Sequence, residues 1–135
     1  MDCTDCLSRR DFLQLAGIGL ALLPIVFAEG QAQGAEHRYP FPTADGVTID
    51  RKEQVIVVRS QGHVYAFNLS CPHENTALRW REQDRRFQCP RHESKYQPDG
   101  TFLSGRATRN MDRFAIRLDG QIVVVDVARL FRSDR

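Results

Sequence analysis

Two short stretches decide how this chain folds: "CPHENTALRW", residues 71–80, and "CPRHESKY", residues 89–96. Each opens on a cysteine and places a histidine a few residues later. The pattern is Cys71-x-His73, then 15 residues, then Cys89-x-x-His92. Between the boxes Leu78 and Trp80 alternate with Arg79 and Arg81, and Phe87 and Cys89 flank Gln88. That is the period of a strand with one buried face. The segment 78–87 is therefore expected to be a hairpin with "REQD" at its tip. A hairpin returns the chain to its start, so two loops, each with one thiol and one imidazole, come to lie side by side.

The surrounding sequence has the same short-strand character. Residues 55–58 are a compact apolar run, "SQGH" (60–63) is a turn, and residues 64–69 return. Further on, Phe114, Ile116 and Leu118 alternate with polar residues. Asp119-Gly120 marks a two-residue turn, and residues 122–127 form the partner strand. In "QPDGTF" (97–102) Pro98 presets a turn and Gly100 permits a positive φ. "SGRATRN" (104–110) is a further loop. No stretch carries a clean helical stripe. Many short strands punctuated by Gly and Pro predict an all-β sandwich or small barrel.

The first 35 residues differ in kind. "SRRDFLQ" contains the pair Arg9-Arg10, and an apolar run from Phe12 to Ala28 follows, broken by Gln14 and Pro24. A polar start, a short apolar stretch and small residues are the order of an export signal. The arginine pair matches the twin-arginine pattern, an address read by a bacterial export machinery. Cleavage is expected after Ala28, Ala32 or Gly34; the alternative is an uncleaved N-terminal anchor. Cys3 and Cys6 fall in this segment and are given no role. The expected organisation is a signal or anchor over 1–35, a proline-containing linker or extended arm over 36–46, and one domain over 47–135. The chain's net charge is +2. Beyond residue 35 it keeps 17 of the 19 basic and 13 of the 17 acidic residues, a balance of +4. Neither value argues for nucleic acid.

Three chemistries suit two cysteines and two histidines. In an oxidising compartment Cys71 and Cys89 could pair as a disulfide. Zinc accepts two thiolates and two imidazoles, but zinc fingers usually pair like with like in each short loop. A loop that mixes the two can send its thiolate to one iron and its imidazole to another, as in Rieske centres.

Here the sequence resembles the Rieske [2Fe–2S] family, over roughly residues 55–127. "CPH" and "CPRH" fit the family's C-x-H and C-x-x-H boxes. The resemblance implies a Rieske-type antiparallel β-sandwich with a small cluster-binding subdomain made of two loops. It implies one [2Fe–2S] cluster, with Cys71 and Cys89 on the inner iron. His73 and His92 would bind the outer iron through Nδ1, leaving Nε2 near the surface. Such centres span roughly −150 to +300 mV, above plant-type ferredoxins, because neutral imidazoles leave the cluster less negative than thiolates do.

"H-E-S-K-Y" (92–96) stands where the Rieske proteins of cytochrome bc complexes have His-Gly-Ser-x-Tyr. The resemblance gives Ser94 and Tyr96 the role of hydrogen-bond donors to cluster sulfurs, which raises the potential into the upper half of that span. Three departures stand out. Thr76 and Arg91 occupy the positions of two further cysteines, so the loop-to-loop disulfide of that group is absent. Glu93 replaces the glycine and is expected to place negative charge beside His92. "GRATRN" replaces a proline-rich covering loop.

The expected function is an exported one-electron carrier in a periplasmic or membrane-attached respiratory chain. Its expected partners are a c-type cytochrome or a quinol-oxidising membrane complex, with the twin-arginine machinery reached through Arg9 and Arg10. The alternative is the Rieske subunit of a larger oxidoreductase, of the quinol–cytochrome c or arsenite-oxidase type. A structural zinc domain is the remaining alternative. Arg79, Arg81, Arg85, Arg86 and Arg91 form either a basic rim that steers an acidic partner or a solvated hairpin tip. His37 and His63 are given no metal role.

Overall fold

Val55, Ile56, Val57 and Val58 are all buried, so their strand has both faces covered. Val55 and Val57 enter one core; Ile56 and Val58 enter another. The alternation follows from the pleat, which sends successive side chains to opposite sides. The computed structural model describes residues 35–133. The export segment with Arg9 and Arg10, and Cys3 and Cys6, lie outside the described residues.

Among the described residues ten strands follow one another: β1 (Glu36–Pro40), β2 (Gly46–Asp50), β3 (Val55–Ser60), β4 (His63–Asn68), β5 (Arg79–Arg81), β6 (Arg86–Gln88), β7 (Lys95–Tyr96), β8 (Phe102–Ser104), β9 (Arg113–Asp119) and β10 (Ile122–Phe131). There is no helix among the described residues. Six strands form one sheet in the order β1-β10-β9-β4-β3-β2, and four form a second in the order β5-β6-β7-β8. All pairings are antiparallel.

The six-stranded sheet is nearly two sheets. β4 and β9 are paired only at Phe67↔Arg113. On either side of this junction, Tyr39, Phe114, Val123 and Val125 pack with Val55, Val57 and Ala66 to close the first core. This is the sandwich. The Arg113 guanidinium lies over the Tyr65 and Phe67 rings at the junction. The second core lies against the four-stranded sheet: Ile56, Val58, Phe67 and Leu69 with Leu78, Phe87, Tyr96, Cys71 and Cys89. Phe67 meets Phe87 edge-on at 6.4 Å and joins the layers.

The segment 36–46, expected as a linker or extended arm, is in part a sheet member. Residues Glu36–Pro40 pair with β10, from Glu36↔Asp126 to Pro40↔Ile122. Only Tyr39 is buried, which hides the strand from a hydrophobicity pattern. Proline is tolerated because β1 is an edge strand. The second hairpin turn is displaced by one residue. Asp119 pairs with Ile122, so the turn residues are Gly120 and Gln121. Gly100 holds φ +85 with its α-carbon against the Phe67 ring, where a Cβ would come within 2.5 Å.

Candidate metal centre

The two boxes form loops of one construction. Cys71 N–H donates to Thr76 O at 2.8 Å, and Cys89 N–H donates to Ser94 O at 2.8 Å. Each loop is thus closed by its cysteine onto a carbonyl five residues ahead. The first is further held by the Leu78 N–H to Leu69 O bond and the Ser70↔Ala77 bridge. The second is tightened by Glu93 N–H donating to Cys89 O. The expected hairpin joins them, with register Arg79↔Gln88, Trp80↔Phe87 and Arg81↔Arg86. Trp80 and Phe87 are 4.9 Å apart, ring to ring, beneath it.

This construction sorts the side chains by depth. Cys71 and Cys89 are buried and free, with no disulfide between them. His73 is exposed and His92 half-buried, with their rings meeting edge-on at 5.4 Å. Thiols below and imidazoles above make a donor set divided between a dry floor and a wet rim.

Tyr96 stands beside Phe87 through the β6–β7 pairing and is fully buried. Its hydroxyl oxygen is 3.4 Å from Cys71 Sγ, crossing from the second box to the first. Burial pushes the phenol well above its usual range, and the neighbouring Cys71 adds to the shift. It stays protonated and able to donate. A hydrogen bond with Ser94 works in the opposite direction. Ser94 is buried, and its Oγ accepts the N–H of Ala107 at 3.1 Å.

Ala107 belongs to "SGRATRN", which lies over the second box. Gly105 holds φ +114 with its backbone against Ser94, where a Cβ would come within 2.4 Å of Ser94 Cα. Close packing by glycine takes the place of proline in this covering loop.

The acid beside His92 is Glu74. His92 Nε2 is 2.9 Å from Glu74 Oε1, and Arg91 Nη1 is 3.4 Å from Glu74 Oε2. Ligand atoms of His73, Glu74 and His92 all lie within 4.8 Å of one another. The hydrogen bond from His92 holds the Glu74 carboxyl below its usual range. Glu93, expected in this place, is instead exposed, at φ +53. It sits in the left-handed conformation that a glycine takes without strain. The expected basic rim also changes. The hairpin carries Arg81 and Arg86 away from the boxes, and Arg91 is paired with Glu74. Arg86 pairs with Asp84 near the tip. His37 pairs with Glu53, far from the boxes in the chain.

A buried dithiol beneath two surface imidazoles defines the class as a two-loop metal centre on an all-β scaffold. The family described as "Rieske [2Fe-2S] domain" matches residues 33–125. The chain belongs to that family. It is 27% identical over 77 residues to the cytochrome b6-f complex iron-sulfur subunit of Chlorobaculum thiosulfatiphilum, across 57% of this chain and 42% of that one. It is 35% identical over 54 residues to the cytochrome b6-f complex iron-sulfur subunit 1 of Synechocystis sp., across 38% and 30%. The chain thus spans less than half the length of these curated relatives. The crystal structure of the cyanobacterial plasma membrane Rieske protein PetC3 from Synechocystis PCC 6803 superposes with a TM-score of 0.50. That match has 27% identity and covers 59% of this chain and 83% of that one. The chain carries a Rieske domain, and its cofactor is a Rieske-type [2Fe–2S] cluster. Two cysteines and two histidines are the donor types of such a cluster.

Proposed function

We propose that Cys71 and Cys89 hold one iron of the cluster and His73 and His92 the other, in an exported one-electron carrier of a respiratory chain. The observation that carries the ligand assignment is the depth division: both thiols are buried, while both imidazoles stand at the surface and meet at 5.4 Å. When bound, the cluster takes up and returns one electron, at a potential that histidine ligation raises. The protein supplies the rest. The two buried thiols exclude water from the inner side. Tyr96 donates a hydrogen bond toward Cys71 sulfur, and Ser94, in the second box, hydrogen-bonds to Tyr96 while it holds the covering loop through Ala107 N–H. Such donors favour the more negative, reduced state. The histidines present the edge through which an electron leaves.

The twin-arginine address fits this chemistry. It exports folded proteins, so a cluster assembled in the cytoplasm travels inside its fold. The periplasmic side of a membrane is the setting that follows, with a c-type cytochrome or a quinol-oxidising complex as partner. A second reading is a subunit of a larger oxidoreductase. It is favoured by the similarity to subunits of cytochrome b6-f complexes.

The test is analysis of the purified protein. Two irons, two acid-labile sulfides and a low-average-g rhombic EPR signal on reduction are expected. Cys89→Ser should lose the cluster. A colourless protein with one stoichiometric zinc would overturn the reading. Export is tested by changing Arg9 and Arg10 to Lys, which should hold the protein in the cytoplasm; normal export of that variant would overturn the twin-arginine assignment.

A further inference from the structure

The two surface imidazoles are not equivalent. His92 Nε2 is engaged by Glu74 Oε1 at 2.9 Å. The other Glu74 oxygen faces Arg91 Nη1 at 3.4 Å. Glu74 is itself fixed by its loop: its carbonyl accepts the Thr76 N–H, and Thr76 O in turn accepts the Cys71 N–H. The carboxylate therefore reaches from the first box to the histidine of the second, and Arg91 closes over it from outside. His73, one residue before Glu74, is exposed and makes no hydrogen bond among the described residues.

We propose that Glu74 is a positioning residue that caps His92 Nε2, so that His73 is the one open imidazole at which a redox partner can hydrogen-bond to the site. The inference rests on the ligand assignment above and adds to it a direction of access. The physical grounds are three. A carboxylate accepting from the far ring nitrogen of a metal-bound histidine fixes the tautomer and the ring plane. It puts the proton on Nε2, facing Glu74, and leaves the lone pair on Nδ1, the nitrogen that would bind iron. A bond to a charged acceptor is stronger than a neutral one, so a partner's carbonyl or hydroxyl would not displace it without compensation. Arg91 neutralises the same carboxylate, so the cap leaves little net negative charge over the site.

The cap makes a prediction that a purely structural Glu74 does not. Holoprotein is treated with diethyl pyrocarbonate at fixed pH, which acylates Nε2 as that nitrogen gives up its proton and ethanol and carbon dioxide leave, and labelling of each histidine is followed by peptide mass mapping. Iron and sulfide are measured on the same samples. In the wild-type protein His73 should be labelled, and His92 roughly tenfold more slowly, the ratio expected for a hydrogen bond to a charged group. Glu74→Ala should bring His92 close to the His73 rate. Glu74→Gln keeps a carbonyl acceptor and should restore much of the protection. Equal labelling of His73 and His92 in wild-type holoprotein carrying two irons and two sulfides would overturn the cap while leaving the cluster reading intact. Wild-type protein lacking that iron and sulfide would overturn the cluster reading itself. If Glu74→Ala fails to load, the wild-type ratio and the Glu74→Gln protein still decide the matter.

Discussion

Tyr96 Oη and Cys71 Sγ stand 3.4 Å apart inside the core, although 25 residues separate them in the chain. The contact spans the two boxes and puts a protonated phenol against a proposed ligand sulfur. Tyr96→Phe removes the donor and keeps the ring. The midpoint potential should fall by about 60 mV, a tenfold change for a one-electron couple, with the EPR line shape retained. Ser94→Ala should lower it by less, because Ser94 bears on Tyr96 and on Ala107. It should also destabilise the protein by roughly 1–3 kcal/mol, the cost of leaving the Ala107 N–H unpaired. Protein-film voltammetry and a urea titration check the pair. A potential unmoved by Tyr96→Phe would show that the phenol does not act on the cluster.

Gly105→Ala should be damaging out of proportion to one methyl group. The added Cβ meets Ser94 Cα and N at 2.4 and 2.9 Å, and φ +114 is a conformation that other residues rarely adopt. Backbone cannot yield as a flexible side chain can. A loss of about 2 kcal/mol or more is expected, with the covering loop lifted from Ser94. The urea midpoint and the rate of iron loss to a chelator measure it.

Glu93→Gly should act in the opposite sense. A side chain at φ +53 costs about 1–2 kcal/mol in the left-handed region. Glycine gives back roughly 0.5–1 kcal/mol of that through its freer unfolded chain. The net expectation is stabilisation of about 0.5–1 kcal/mol by denaturant titration, with a potential close to wild type because Glu93 is not the acid on His92.

Asp50, at the end of β2, governs a pH limb of its own. Its Oδ1 accepts the N–H groups of Lys52 and Glu53, and its Oδ2 accepts the Tyr39 hydroxyl. The Glu53 N–H above all holds the carboxyl below its ordinary value of 3.8. The folded state therefore binds fewer protons than the unfolded one near that pH. Asp50's contribution is complete above the ordinary value and fades as pH falls through the lower, folded one. Asp50→Asn should be less stable at pH 7 and show a flatter acid limb. Thermal melts between pH 7 and pH 3 follow the difference.

Much of this is legible in the sequence. The hairpin between the boxes could be read because Trp80 and Phe87, which it pairs, alternate with arginine and glutamine. β3 could be read because all of Val55–Val58 is apolar. β1 could not, because an edge strand with one buried residue and a terminal proline carries no periodic signal. The difference between Glu74 and Glu93 was equally hidden. Both acids follow a histidine directly, and only the loop conformation decides which carboxylate turns toward His92. The left-handed φ at Glu93 carried a faint signal, since glycine occupies that place in the bc-complex pattern.

β3 belongs to both cores at once, with Val55 and Val57 in one and Ile56 and Val58 in the other. No other segment of four consecutive residues among those described is buried throughout. The core beneath the two boxes and the first core therefore share a single structural member, and neither can melt while the other keeps its packing. Amide hydrogens of residues 55–58 should exchange with solvent only when the whole domain opens, so their protection factors report the global stability of the fold. Loss of iron and loss of the first core should then proceed as one kinetic event.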